Sequence, residues 1–384
     1  MRAAGNKILH LVDSEGVYGA EQVLLNIAAE TARAGKYEPL VGCIVRNGGE
    51  PSALFEAARE SGLPAVKVRL RNALLPGDAL IAGTRLRRLG VFLTHAHGYK
   101  PSVVGAFMRA CCGIEAVATC HLWYPGLRPP LKYRVMTRLE RLAYRRYKAI
   151  VAVSEPIRQK LVGWGVPRER VHLIRNGIAL ERYAARNADR CEELRRSLRL
   201  GPEGRLILTV GRLVEQKNQR LMIEALGRTR LQGLDAHLAI IGEGALRPAL
   251  EAQIAAQGLE GGVSLLGYRD DVPAWMQAAD LFALVSRDEG LPMCLLEAMA
   301  SRLPAVVSPV GDVPALISPG VEGLLVESGD VEGCATAFVR MLSDPTFARG
   351  CAEQALAKVR AHHSSAAMYR EYERVYDLFR PRSE

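Results

Sequence analysis

Short apolar runs alternate with longer amphipathic stretches along this chain, and the alternation runs through twice. Near the start, "NKILHLV" reads as a strand, "DSEGVYGAE" as a loop and "AEQVLLNIAAETARAG" as a helix. In that helix Val23, Leu24, Ile27 and Ala28 share one face, and Gly35 ends it. "YEPLVGCIV", "AVKVRL", "VFLTHAH", "EAVATC" and "AIVAVS" follow as further strands, with helical stretches between them. A β-α-β rhythm of this kind predicts a parallel sheet covered on both faces. Residues 179–204 are charged and lack a strand, and they read as a linker. The rhythm then restarts with "RLILTVG", "AHLAIIGEG", "VSLLG", "DLFALVS", "PAVVS" and "GLLVE". The expected fold class is therefore α/β, with two Rossmann-like doubly wound parallel-sheet domains facing a central cleft. Ligands are expected at the C-terminal edges of the sheets. The expected limits are 1–185, 186–363 and a closing helical segment, 364–384.

Composition narrows the class only a little. The net charge of +10 fits nucleic acid, anionic lipid or phosphorylated small molecules. Aromatic residues make up only 6% and are not interleaved with basic ones, so no nucleic-acid partner is expected. No uninterrupted apolar segment approaches the roughly 20 residues that span a bilayer. The apolar stretch at the N-terminus ends at Asp13, too soon for a secretory signal. Eight cysteines without C-x-x-C spacing suggest buried reduced thiols and a cytoplasmic enzyme.

Candidate chemistry concentrates in "SRDEGLPMCLLEAMA", residues 286–300. Pro292 suits the first turn of a helix whose apolar face holds Met293, Leu296 and Met299. The free amides and positive dipole end of such a helix favour a phosphate. Glu297 falls about five residues in, roughly 7–8 Å along the axis, which matches the reach from a diphosphate to its ribose. Glu289 precedes the helix, where it can accept from hydroxyls of whatever the diphosphate carries. A surface helix with two solvated glutamates fits the spacing equally well. In "GRLVEQKN", Gly211 releases a strand and Arg212 and Lys217 offer two cations to a pyrophosphate, with Asn218 as a helix cap. A solvated strand-end loop is the alternative. Gly242 and Gly244 in "AIIGEG" let backbone come close to a ligand. In the first half, Gly16 and Gly19 sit in the first strand-to-helix loop, and His121 ends the strand "EAVATC". His95 and His97 take the equivalent place one strand earlier.

The segments "GVYGAE", "HAHG", "TCH", "AVSE", "NGI", "VGRLVEQKN", "IIGEG", "LLGYRDDV" and "EGLPMCLLEAMA" stand in the order seen in the family-4 retaining glycosyltransferases, the glycosyl transferases group 1. The chain resembles that family over nearly its whole length, more closely in the second half. The resemblance implies a GT-B fold, with an acceptor-side first domain and a donor-binding second domain. It also implies that the last helix crosses back to pack on the first domain. It implies that Arg212 and Lys217 hold the donor diphosphate, that Glu297 binds the ribose and that Glu289 contacts the donor sugar. Gly290, Leu291 and Met293 would run beside that sugar and the phosphates, with Gly211 and Gly242 at the neighbouring strand ends. Tyr268 and Arg269 would border the nucleobase. Gly19 would lie near the diphosphate and acceptor, and His121 near the transferred sugar. Ser154 and Asn176 match family positions to which no chemical role is assigned.

The implied reaction moves a hexose from a nucleotide-sugar, a UDP-sugar before GDP-mannose, to a glycan or lipid-linked acceptor in cell-surface polysaccharide or lipopolysaccharide assembly. No double-displacement carboxylate pair stands out. A front-face route is expected, in which the leaving phosphate helps to deprotonate the incoming hydroxyl. No D-x-D triplet occurs, and neither a cofactor nor a required metal is expected. Arg134, Arg138, Arg141, Arg145 and Lys148 form a basic stripe on a helix, with Leu131, Val135, Leu139 and Leu142 on another face. That helix is either a peripheral contact to the anionic inner face of the membrane or a core-packed helix with a solvated basic side. A non-catalytic nucleotide-sugar or glycan-binding relative is the alternative function. A dinucleotide oxidoreductase is disfavoured, because Arg247 replaces the third glycine of "GEGALR".

Overall fold

The computed structural model describes residues 5–14, 16–17, 19–45, 52–70, 76–121, 131–184 and 187–380. The apolar runs become strands because both of their faces are covered. In the first unit these are β1 (Lys7–Val12), β2 (Glu38–Val45), β3 (Ala65–Arg69), β4 (Val91–His97), β5 (Glu115–Cys120), β6 (Ala149–Ala152) and β7 (Val171–Leu173). They form one sheet in the order β3-β2-β1-β4-β5-β6-β7, with every pair parallel. Successive residues of β1 serve opposite faces. Leu9 and Leu11 join a core with Val104 and Met108, while Val12 joins one with Leu24 and Val41. β7 is not among the expected strands, because His172 interrupts it and Arg170 and Arg175 flank it, so it lacks the apolar run that marks the equally short β12.

The second unit repeats the pattern with β8 (Arg205–Val210), β9 (Ala236–Ile241), β10 (Val263–Gly267), β11 (Leu281–Leu284), β12 (Ala305–Val307) and β13 (Leu324–Leu325). Their order is β10-β9-β8-β11-β12-β13, again all parallel. In both sheets the order reverses beside the first strand, as in doubly wound nucleotide-binding folds, and ligands of such sheets sit at that reversal. Ile207, Leu226, Leu238, Ile254, Leu281 and Phe338 belong to one continuous core around this second sheet.

The chain divides into Met1–Gly177 with Ser365–Glu384, and Ile178–Ser364. The expected limit at residues 185 and 186 lies outside the described residues. The last helix, Ser365–Asp377, belongs to the first unit. It buries Tyr372 and Tyr376, its Asp377 carboxylate accepts from the Tyr37 hydroxyl at 2.6 Å, and its Ser365 hydroxyl donates to Glu30 at 2.7 Å.

Residues 179–204 are not a free linker. They form the helices Glu181–Ala184 and Ala188–Ser197, which bury Tyr183, Cys191 and Leu194. Arg190 pairs with Asp271 and Arg195 with Asp280, each at 2.8 Å. The high charge of this stretch is thus spent on ion pairs that fasten it to the second unit.

Candidate active site

The expected donor residues fall at the C-terminal ends of adjacent strands. The amide of Gly211, just past β8, donates to Ile241 at the end of β9 at 2.9 Å, and the amide of Gly242 donates to Gly267 at the end of β10 at 2.8 Å. Gly242 has φ +140°, and a Cβ there would lie 2.0 Å from the Gly211 carbonyl oxygen. A Cβ at Gly244 would likewise meet the Leu213 carbonyl oxygen at 2.3 Å. Among the described atoms these glycines bring backbone against backbone, and so hold three strand ends in register.

Lys217 lies in a single helical turn, Glu215–Lys217, and its stem crosses Gly211. Its Nζ meets Glu289 Oε1 at 2.5 Å, with the two side chains 15% and 6% exposed. The Ser286 hydroxyl donates to the same oxygen at 2.7 Å. Burial works to lower the Lys217 pKa, but the Glu289 carboxylate outweighs it and the net shift is upward, so the ammonium is kept. The turn and the loop are laced together by backbone as well. The Arg287 amide donates to the Gln216 carbonyl at 2.8 Å, and the Gln216 side chain to the Asp288 carbonyl at 2.7 Å.

Asn218 does not cap the following helix with its side chain. Its backbone is left-handed, at φ +54°, and its amide instead donates to Val285 at 3.2 Å and Ser328 at 2.7 Å. Arg212 is different in kind. It is exposed, and its guanidinium makes no hydrogen bond or ion pair among the described residues. It is near enough to Lys217 for its charge to be felt there.

The helix after Pro292 spans Met293–Ala300 and buries Met293, Leu295, Leu296, Ala298 and Met299. Leu291 and Met293 point into the core, so this corner offers a ligand backbone rather than side chains. The Gly290 carbonyl is fixed by the Asp312 amide at 2.9 Å. Glu297 is half-buried and bound by the hydroxyl of Tyr183. Burial raises its pKa, opposed by that hydrogen bond and by the charge of Arg182. Tyr183 and Arg182 were missed in the sequence because they lie in the stretch read as a linker. An aromatic residue inside a charged run was the available signal.

Tyr268 is 61% exposed. Arg269 is committed to Asp271 through two hydrogen bonds, at 2.8 and 2.7 Å, and that grip holds the Asp271 carboxyl at about 2. In the first unit, Gly19 opens the helix Gly19–Ala34 and is exposed. His121 follows β5, 3.3 Å from His97 through ring nitrogens, and burial lowers its pKa to about 4. His95 and His97 are buried, at 0% and 4% exposure.

The basic helix, Leu131–Tyr144, turns Met136, Glu140, Ala143 and Tyr144 inward. Leu131, Val135 and Leu142 are 73%, 44% and 57% exposed, so these three do not pack the core. They lie beside the exposed Arg134, Arg138 and Arg141. Arg141 and Arg145 also donate to the Trp164 carbonyl, and Lys148 pairs with Glu115 at 2.7 Å. No helix among the described residues is long and apolar enough to cross a membrane.

Two doubly wound sheets, the second with cations and carboxylates along its C-terminal edge, define a GT-B glycosyltransferase fold. The family described as "Glycosyltransferase Family 4" matches residues 17–182, and "Glycosyl transferases group 1" matches residues 204–344. Alpha-D-kanosaminyltransferase of Streptomyces kanamyceticus is 31% identical over 297 residues, 74% of this chain and 76% of that protein. The chain belongs to this glycosyltransferase family. The UDP-Gal:alpha-D-GlcNAc-diphosphoundecaprenol alpha-1,3-galactosyltransferase of Escherichia coli is 32% identical over 66% of each chain. The structure of Anabaena Alr3699/HepE in complex with UDP and glucose aligns with a TM-score of 0.84 at 23% identity, over 97% of this chain and 99% of that one, a likeness of fold. The chain spans 56% to 91% of the length of the curated relatives it matches.

Proposed function

We propose that this glycosyltransferase moves a hexose, with retention, from a nucleoside diphosphate sugar to a glycan or lipid-linked acceptor in cell-surface polysaccharide assembly. One observation carries the reading. An exposed guanidinium, Arg212, which has no ion-pair partner among the described residues, stands beside a buried lysine–glutamate pair at the C-terminal edge of a doubly wound sheet. Arg212 and Lys217 take the charge that develops on the departing diphosphate, and a leaving-phosphate oxygen accepts the proton of the incoming hydroxyl. Glu289 contacts the donor sugar, Glu297 the ribose hydroxyls, and the exposed ring of Tyr268 stacks on the base. The first unit, with Gly19 and His121, is the acceptor side in this reading, and the transfer itself needs no metal. Bound UDP in the HepE structure and the UDP-linked name of the Escherichia coli relative favour a UDP-sugar over GDP-mannose. UDP is expected to raise the melting temperature, with GDP and ADP having less effect, and Arg212→Ala to remove most of the shift. Equal shifts with all three nucleotides, or an unchanged shift in the variant, would sink the donor assignment.

The acceptor side carries a second expectation. Leu131, Val135 and Leu142 form an exposed apolar line flanked by arginines, as on helices that lie in a membrane interface. Such a contact suits a lipid-linked acceptor at the inner, cytoplasmic face. The protein is expected to co-sediment with anionic vesicles at low salt, and Leu131→Ser/Leu142→Ser to weaken this several-fold. No sedimentation at low salt would end the idea.

A further inference from the structure

Three histidines of the first sheet are buried where a strand core normally takes apolar residues. His10 on β1 is the direct neighbour of His95 on β4, and His97 follows on the same face of β4. One ring nitrogen from each lies within 4.8 Å of the others, and all three rings are buried. Among the described residues neither nitrogen of His10 has a hydrogen-bond partner, and neither has His97 Nε2. Buried polar atoms without partners are rare in folded proteins and call for an occupant.

We propose that His10, His95 and His97 bind a divalent transition metal of the zinc class, with His121 orienting His97. Neutral imidazole is the ligand form. Ligation through the His97 Nε2 lone pair requires Nδ1 to carry the ring proton, and His121 Nε2, 3.3 Å from that nitrogen, is placed to accept it. His95 now holds two hydroxyls, Tyr376 at 2.8 Å and Thr119 at 2.7 Å. One of them gives way to the metal, and the other accepts the remaining ring N–H as an outer-shell partner. Thr119 has a second hydroxyl neighbour, Tyr372 at 3.1 Å, and so loses least by release. Three histidines leave a fourth tetrahedral position for water or another small ligand.

The test is cobalt(II) titration of the EDTA-treated full chain in a Cys111→Ser background, since Cys111 is an exposed thiol. The expected result is one equivalent bound, with the visible absorption of four-coordinate cobalt, displaced by zinc. His10→Phe fills the same space with no orphaned nitrogen and should fold, which far-UV circular dichroism checks. It and His97→Ala should each weaken metal binding by about 10- to 100-fold or more. His362→Ala, at an exposed site, should leave it unchanged. Absence of stoichiometric uptake, or equal uptake in both ligand variants, overturns the site. The UDP shift, read on the EDTA-treated protein, tests the donor site separately, so either reading can fail alone.

Discussion

Lys217→Ala is expected to reduce turnover by about 10²- to 10³-fold, the usual cost of removing one group that stabilises developing negative charge. It should also destabilise the protein, because it strands Glu289. That carboxylate is 6% exposed and shares one oxygen between Lys217 and Ser286. Breaking a buried ion pair from one side costs about 3–5 kcal/mol. The two effects separate in the double variant Lys217→Ala/Glu289→Gln, where no unpaired charge remains. Its melting temperature should return most of the way to wild type while turnover stays low. Should the double variant recover activity along with stability, the lysine would be a structural group only. Chemical denaturation and release of nucleoside diphosphate read the two halves of this result.

Glu297→Gln should lower UDP affinity by about 10- to 100-fold, from hydrogen bonds to a charged acceptor worth about 1.5–3 kcal/mol in all. The amide is nearly isosteric and can still accept from Tyr183, so the fold should survive. Wild type should weaken towards a UDP analogue that lacks the ribose hydroxyls, and the variant should not discriminate. The sign of the pH dependence follows from the raised pKa of Glu297, which burial causes. Gripping the ribose needs the carboxylate, so affinity should fall as pH drops through that raised value, while Glu297→Gln stays flat. In the free protein the same shift acts the other way. Its contribution to stability is full below the ordinary carboxylate range and is lost as pH rises through the raised value. Tyr183→Phe removes a hydrogen bond that favours the ionised form, so it should move the binding profile to higher pH. A profile unmoved by Tyr183→Phe and matched by Glu297→Gln would place the ribose elsewhere.

The two sheets were legible because nearly every strand carries a short run rich in apolar residues, as a parallel sheet covered on both faces favours, whereas β7 is broken by His172. Residues of the candidate site were legible one motif at a time. Lys217 and Glu289 each stood out, but their ion pair joins residues 72 apart, and no local pattern encodes that. Asn218 stood at a helix start, where capping is the default, yet its left-handed backbone turns the side chain toward two other loops. Tyr183 is hidden in a charged stretch without a strand, which reads as a linker, whereas Arg190 and Arg195 use their charge to pin that segment down. His10 is a single polar residue within its own strand, and only the pairing of β1 with β4 brings His95 and His97 beside it.

The first unit takes its final piece from the far end of the chain, and this sets an order for synthesis. A ribosome delivers all of Ile178–Ser364 before the Ser365–Asp377 helix emerges. The later half thus has every residue it needs while the earlier half still waits for Tyr372 and Tyr376, whose hydroxyls reach Thr119 and His95. The unit that starts first is thus the last to have all of its residues. A nick or premature stop near residue 364 would unroof the older half and leave the younger one whole.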